Sequence, residues 1–153
     1  MYIQGNGGHA NVIKELRDML RPDYGGYQHF IAVGNNKDRK KEAQRLKGPF
    51  CSLIHPYSWV SPSVIIGEGT VIMAGVVIQA QVQIGRHVIL NTGCSVDHDC
   101  KIGDFAHIAP GVHLCGNVEV GEGALVGVGS VAVPGAKIKP WSVVKAGSVC
   151  LTK

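Results

Sequence analysis

Residues 83–124 read QIGRHV ILNTGC SVDHDC KIGDFA HIAPGV HLCGNV EVGEGA when written in sixes, and the second residue of every block is apolar. The same holds for all seventeen blocks from Leu53 onward, with second residues running from Ile54 to Cys150. At 45% apolar content, such a run would arise by chance about once in a million sequences. Four places further on, many blocks carry small or β-branched residues, as at Thr70 and Ala106. A six-residue period of this kind predicts a parallel β-helix.

Glycines recur every eighteen residues at positions 67, 85, 103 and 121, and eighteen residues are three blocks. Three short strands and three corners therefore form each turn of a triangular prism. The first corner place often holds proline, as at Pro110, and the second often holds glycine, as at Gly111. Both residue types suit tight corners, because proline fixes φ and glycine adopts positive φ.

His98 and Asp99 occupy the two corner places of one block, so they are expected to project outward. They are either a solvated surface pair or a general base with an acidic partner, since an imidazole beside a carboxylate is what such catalysis requires. Gly116 lies eighteen residues later and is expected directly above His98, at roughly the 4.8 Å spacing between strands. It is either one more corner glycine or a residue whose bare backbone N–H can polarise a carbonyl.

The first 52 residues have a different pattern. MYIQGNGGHANVIKELRDML predicts a strand, a glycine turn and a helix with Val12, Ile13, Leu16, Met19 and Leu20 on one face. HFIAVGNN predicts a second strand, residues 37–47 a second helix, and FCSLIHP a third strand. We therefore expect a small α/β (βαβαβ) domain over 1–52 and a parallel β-helix over 53–153. Gly5, Gly7 and Gly8 either form a tight turn or admit a phosphate to the helix N-terminus.

Residues 37–47, KDRKKEAQRLK, carry a local charge of +4, which equals the net charge of the whole chain. This run is either a solvated helix face or a docking site for phosphates. The rest of the chain is neutral overall, which argues against nucleic-acid binding. With no signal peptide or membrane-spanning segment in the sequence, a soluble, cytoplasmic protein without membrane insertion is expected.

The five cysteines have no paired spacing, so reduced thiols are expected rather than disulfides or a zinc knuckle. Cys94 and Cys100 fall at small inward places, where packing is expected rather than nucleophilic chemistry. Cys115 is the cysteine near His98 that is expected to face outward.

Five segments in order, GNGGHA, FIAVGNNKDRKK, LIHPYSWVSPS, ILNTGCSVDHDCKIGDFAHIAPGVHLCGNV and VVKAGSV, resemble the nucleotide-sugar acetyltransferases of the bacillosamine and perosamine type, a group related to the sialic acid O-acetyltransferases. The resemblance implies a left-handed β-helix, acetyl-CoA as co-substrate without a metal, and a trimer. The left hand comes from the resemblance alone, because parallel crossovers are otherwise right-handed.

The resemblance also implies residue roles. His98 matches the general base and Asp99 the acid that raises its basicity. The substrate is expected at Asn91 and, through nucleotide-sugar phosphates, at Gly7, Gly8 and His9. The coenzyme is expected at a further set of positions, namely His107, Gly116, Val128 and Ala146.

The sequence departs from the family in two places. Family members insert a strand ending in paired acidic residues before the FIAVGNN strand, whereas RPDYGGYQ stands here and Asp23 has no assured counterpart. They also continue past the last coil with a tail containing Pro and Ala, whereas this sequence ends VCLTK.

The predicted activity is acetyl transfer from acetyl-CoA to the amino group of a nucleotide-linked amino-deoxysugar. Three alternatives stay open: sugar O-acetylation, a non-catalytic binding protein of the same fold, and a zinc hydratase using His98, His107 and His113. A homotrimer with active sites between subunits is predicted, because many outward strand residues are apolar, namely Val71, Val77, Ile89, Leu125, Val131 and Val143.

Overall fold

A computed structural model describes residues 2–20 and 28–152. The N-terminal unit contains β1 (Tyr2–Gln4), α1 (Gly8–Leu20), β2 (His29–Ile31) and α2 (Asn36–Leu46). β1 and β2 pair in parallel. In the segment predicted as the third strand, Phe50 forms a single parallel bridge with His29, and Leu53–Ile54 belongs to the β-helix instead. Asp23 lies outside the described residues.

The rest of the chain forms a left-handed parallel β-helix of about five turns, as predicted. Its three faces consist of stacked two-residue strands. The first face contains β3 (Leu53–Ile54), β6 (Val71–Ile72), β9 (Ile89–Leu90), β12 (His107–Ile108), β15 (Leu125–Val126) and β18 (Val143–Val144). The second face contains β4 (Trp59–Val60), β7 (Val77–Ile78), β10 (Ser95–Val96), β13 (His113–Leu114), β16 (Val131–Ala132) and β19 (Val149–Cys150). The third face contains β5 (Ile65–Ile66), β8 (Gln83–Ile84), β11 (Lys101–Ile102), β14 (Glu119–Val120) and β17 (Lys137–Ile138).

The six-residue period is the packing pattern of the prism interior. The second residue of every block from Ile72 to Ile138 is buried. The small residues four places later are also inside, with Thr70, Ala106 and Ser130 fully buried. The Thr70 and Ser130 hydroxyls donate to the carbonyls of Gly85 and Lys145, which satisfies these polar groups. Alternating large and small side chains thus fill a narrow triangular core.

The second corner place has a left-handed backbone in every block from Gly69 to Gly147. Eight glycines there have φ between 63° and 73°. Asp99 and Phe105 adopt the same conformation, with φ of 61° and 59°. Glycine is frequent at this place because left-handed backbone costs other residues roughly 1 kcal/mol or more.

The N-terminal unit lies against the first face and against the edge between the third and first faces. It covers Val71 and Ile89, which are 0% and 1% exposed. The prediction that these two residues belong to a free apolar surface is therefore wrong, because the chain buries them itself. Val77 and Val143 remain 36% and 70% exposed.

Helix α1 buries a narrower face than its sequence indicates. Ala10, Ile13 and Leu16 pack into the core, whereas Val12 and Met19 are 49% and 53% exposed. The helix contacts β1, and Val12 and Met19 do not lie on its buried side. No helix in the described ranges is long and apolar enough to cross a membrane.

Candidate active site

The His98 corner joins β10 to β11 at the edge between the second and third faces. His98 Nδ1 lies 2.7 Å from Asp99 Oδ2, and the His98 backbone N–H donates to Asp97 Oδ1 at 2.8 Å. The His98 and Asp99 side chains are 54% and 51% exposed. Both residues thus project outward, as the repeat predicted, and the backbone at Asp99 holds its carboxylate against the imidazole.

The surroundings of His98 favour a basic imidazole. Its hydrogen bond to Asp99 is the main cause that raises the pKa of His98, desolvation opposes this, and the nearby Asp97 and Asp99 charges add to the rise. Because a carboxylate accepts hydrogen bonds, Nδ1 of the neutral ring carries the proton. Nε2 is then the free basic nitrogen.

Gly116 lies against the imidazole, one coil above His98. A Cβ atom built on Gly116 would be 2.7 Å from both Cε1 and Nε2 of His98. The next backbone amide, from Asn117, donates to the His98 carbonyl at 2.9 Å. Within residues 2–20 and 28–152, the Gly116 N–H has no hydrogen-bond acceptor. Glycine is thus required by the space that His98 takes, and its amide stays free for a ligand.

A second group of predicted residues lies under the N-terminal unit, beside the first face. His107 Nε2 is 3.1 Å from Asn91 Nδ2. Burial is the main cause that lowers the pKa of His107 to about 4, the charges of Arg39 and His9 add to it, and a hydrogen bond to the Gly34 backbone opposes it. Burial, followed by the Arg39 charge, also lowers the pKa of His9 to about 4. Both imidazoles are therefore neutral at pH 7.

The glycines of the turn before α1 differ in whether packing requires them to lack a side chain. A Cβ atom on Gly5, where φ is 140°, would be 2.5 Å from the Ala32 carbonyl oxygen, so packing requires this glycine. Gly7 and Gly8 have nothing within 4 Å of such an atom. The N-terminus of α1 is thus open beside these two residues, and its first turn contains no acidic side chain. By contrast, Asn35 caps α2 by accepting from the amides of Lys37 and Asp38.

Val128 and Ala146 stack on the edge between the first and second faces, the edge that Asn91 adjoins. The Gly147 amide donates to the Val128 carbonyl at 2.8 Å, and Val128 is 55% exposed. One chain therefore brings the predicted residues together in two groups. His98, Asp99 and Gly116 lie on one edge, whereas Asn91, His107, Val128 and Ala146 lie on or beside another, and the second face separates them.

Arg39 lies close enough to His107 and His9 for its charge to act on both. The sequence did not predict it as a site residue, because the basic run predicted a solvated helix face or a phosphate site. It is only 1% exposed, and burial lowers its pKa to about 9. Lys40 also contacts the prism, with Nζ 2.6 Å from Glu122 Oε1. The run contains no signal that separates these two residues from the exposed Lys37 and Lys41, because burial here depends on which side of α2 meets the prism.

The cysteines agree with their predicted packing role. Cys94 and Cys100 are fully buried, and burial raises the pKa of their thiols to about 12 and about 11. Cys115 is partly exposed. Among the described residues, no group of three or more His, Cys, Asp or Glu side chains is arranged to hold a metal ion.

Comparisons with known proteins agree with this fold along nearly the whole chain. The family described as bacterial transferase hexapeptide (six repeats) matches residues 63–98 and 99–133. The acetyltransferase domain of PglB from Neisseria gonorrhoeae FA1090 is 33% identical, with a TM-score of 0.90 over 99% of this chain and 92% of that one. It has also been solved in complex with acetyl coenzyme A.

A perosamine N-acetyltransferase from Caulobacter crescentus, solved in complex with CoA and GDP-perosamine, is 35% identical. Its TM-score is 0.92 over 99% of this chain and 88% of that one. UDP-N-acetylbacillosamine N-acetyltransferase from Bacillus subtilis (strain 168) is 41% identical over a 104-residue alignment covering 44% of this chain and 48% of that protein. The chain thus spans about half the length of that curated relative. With this fold, this corner histidine and these matches, the chain belongs to the hexapeptide-repeat acetyltransferase family that includes the bacillosamine and perosamine N-acetyltransferases.

Proposed function

We propose that this protein transfers the acetyl group of acetyl-CoA to the amino group of a nucleotide-linked amino-deoxysugar, with His98 as general base. The observation that carries the proposal is the His98 corner. One ring nitrogen is bound by Asp99, the other is free, and a backbone amide without an acceptor lies beside it.

The reaction follows from that geometry. His98 Nε2 takes a proton from the substrate amine as the amine nitrogen forms a bond to the thioester carbonyl carbon. The carbonyl oxygen becomes an oxyanion, which the Gly116 N–H stabilises. Collapse of this tetrahedral intermediate breaks the carbon–sulfur bond, and the proton held by His98 passes to the departing CoA thiolate. No acyl-enzyme is needed, in agreement with the buried state of Cys94 and Cys100.

The N-terminal unit supplies a place for the nucleotide part of the substrate. The open N-terminus of α1 beside Gly7 and Gly8 presents backbone amides and the positive end of the helix dipole, which favour phosphate. His9 lies beside it, and its Nε2 is buried without a hydrogen-bond partner among the described residues. A phosphate oxygen or a sugar hydroxyl in the substrate complex would satisfy that nitrogen.

The active form is a homotrimer with its sites between subunits. His98 lies on one edge of the second face, whereas Val128 and Ala146 lie on its other edge. If three second faces surround a common axis, the His98 edge of each subunit meets the Val128 edge of the next. Exposed apolar residues on this face, Trp59, Val77 and Val149, would be covered by that arrangement.

The activity test is a panel assay. The protein is incubated with acetyl-CoA and UDP-, GDP- or dTDP-linked amino sugars while the release of CoA thiol is followed. We expect thiol release with at least one amino sugar, and release slower by a factor of about 10² to 10⁴ with His98→Ala. Hydroxylamine cleaves an acetyl ester but not an amide, so treatment of the product separates O- from N-acetylation. Absence of release with the whole panel would contradict the proposal.

Mixed trimers test the shared site. His98→Ala and His107→Ala chains, unfolded and refolded together, would form trimers in which some edges pair two intact residues. We expect the mixture to be more active at low acetyl-CoA concentration than either variant alone. Equal activity of mixed and separate preparations would place each site within one subunit.

A further inference from the structure

Arg39 spans the junction between the N-terminal unit and the prism through hydrogen bonds to neutral oxygens only. Its Nε donates to the His87 carbonyl at 2.8 Å, and its Nη1 donates to the carbonyls of Val33 and Gly34 at 2.9 and 3.1 Å. Its Nη2 donates to Asn36 Oδ1 at 2.9 Å and to the Phe105 carbonyl at 2.7 Å, with a longer contact to the Ala106 carbonyl at 3.4 Å. Within the described residues, no carboxylate forms an ion pair with this buried guanidinium.

Two of the residues that accept hydrogen bonds from Arg39 also adjoin His107, one in sequence and one in space. Ala106 is the residue immediately before it, and Gly34 hydrogen-bonds to the His107 ring through its backbone. Arg39 therefore hydrogen-bonds both to the backbone just before His107, at Ala106, and to the Gly34 backbone group with which the His107 ring forms a hydrogen bond. A displacement of either would move the ring.

Hydrogen bonds fix the protonation of the His107 ring. Asn91 Oδ1 accepts from the Thr92 backbone N–H at 2.8 Å, which places the Asn91 amide nitrogen toward His107 Nε2 at 3.1 Å. An amide nitrogen only donates, so His107 Nε2 must accept and its proton must lie on Nδ1. Protonation of Nε2 would put two donors face to face.

We propose that Arg39 is a positioning residue for the acetyl-CoA site: it holds His107, with Nδ1 protonated and Nε2 accepting from Asn91, between the Gly34 turn and the Phe105–Ala106 corner. The charged or titratable side chains that act on His107 are Arg39 and His9, and the positive charge of Arg39 further opposes a second proton on the ring. The acetyl-CoA part of this inference rests on the proposed function, whereas the protonation state of the His107 ring does not.

The experiment compares Arg39→Met with Lys40→Met, a matched change at the adjacent residue that also bridges α2 to the prism. Imidazole nitrogen shifts of His107 are followed by NMR against pH, with the signal assigned through His107→Gln. Binding of acetyl-CoA is measured by calorimetry without any sugar. Neither measurement needs turnover, so a failure of the panel assay would remove the proposed function and leave this test in force.

In the wild type we expect His107 to stay neutral, with the proton on Nδ1, down to about pH 5. Arg39→Met should raise the pKa of His107 by more than about one unit and weaken acetyl-CoA binding by about tenfold. Lys40→Met should lower the melting temperature but leave both quantities unchanged. Equal effects of the two variants, or no effect of Arg39→Met on the His107 ring, would contradict the proposal and show that Arg39 only stabilises the fold.

The wild-type titration keeps the proposal testable if Arg39→Met fails to fold. A His107 ring that titrates near its usual pKa of about 6.5, or that carries its proton on Nε2, would overturn it outright.

Discussion

His98 has one nitrogen bound to Asp99 and the other in position for the proposed proton transfer, so its removal should affect chemistry more than folding. General base catalysis contributes a factor of about 10² to 10⁴, and we expect His98→Ala to lower kcat by that much. The melting temperature should change little because the side chain is 54% exposed. His55→Ala, a histidine change in the first coil away from this corner, is the control. Retention of more than about a tenth of the wild-type kcat under chemistry-limited conditions would contradict the role of His98.

Gly116→Ala tests the contact between the two coils. The added Cβ atom would lie 2.7 Å from the imidazole, so the ring must swing away from Asp99. We expect kcat to fall about as far as in His98→Ala, with the fold retained because the ring can move into solvent. In a His98→Ala background the same change should cost much less, since no ring remains to be displaced. Equal losses in both backgrounds would show that Gly116 acts independently of His98.

Asp99 holds a backbone conformation that favours glycine, with φ of 61°. Asp99→Gly would relieve a left-handed backbone cost of roughly 1 kcal/mol or more, which the greater unfolded-state entropy of glycine partly offsets, so the free energy of unfolding should rise slightly while kcat falls. Asp99→Asn should cost less activity, since an amide oxygen still orients the ring. Because the carboxylate raises the pKa of His98, its loss should move the acidic limb of the pH–rate profile to lower pH. A profile that stays in place in Asp99→Asn would show that the carboxylate does not tune the base.

Interior places of the repeat should contribute to stability according to their burial. Ile108 is 0% exposed, whereas Ile54 occupies the same place in the first coil and is 39% exposed. Ile108→Ala should lower the free energy of unfolding by about 2 to 5 kcal/mol, and Ile54→Ala by roughly half of that or less. Chemical denaturation measures both. Equal losses would mean that the end coil is packed by more of the molecule than its exposure indicates.

The repeating part of the chain could be predicted almost residue by residue, whereas the N-terminal unit could not. A period of six fixes which side chains enter the prism, as at Ile108 and Ala106, because every coil has the same local surroundings. Helix α1 has no such repetition, and the apolar Val12 and Met19 stay exposed. Arg39 lies in a charge run that is typical of a solvated helix face, and only the docking of α2 on the prism buries it.

The candidate site was predicted in part for the same reason. Stacking by eighteen residues placed Gly116 on His98, and the structure confirms that contact. The pairing of His107 with Asn91, and the closeness of both to the Gly34 turn, join distant segments through the fold of the N-terminal unit. No local pattern contains that information. The roles of these residues in catalysis and binding stay predictions.

The proposed trimer depends on the second face. Val77 lies on this face and is 36% exposed. Val77→Glu would bring three carboxylates together around the axis of the proposed trimer, so it should dissociate the trimer and abolish activity. Lys101→Glu, an exposed change on the third face, should affect neither. Light scattering gives the mass of each variant, and a monomeric wild type at micromolar concentration would rule out the trimer.

The uniform coil of the prism has a consequence for how such a chain can change length. Each six-residue block turns the backbone by a third of a full rotation, so inserting or deleting one block would move every later residue to the next face. If the change fell between His98 and Gly116, the two would no longer lie on one edge, although every apolar residue would still point inward. Whole coils of eighteen residues, or loops that leave and re-enter at one corner, keep the angular positions intact. The contact between His98 and Gly116 therefore requires an unchanged spacing of eighteen residues between them, whereas the apolar interior requires only a multiple of six.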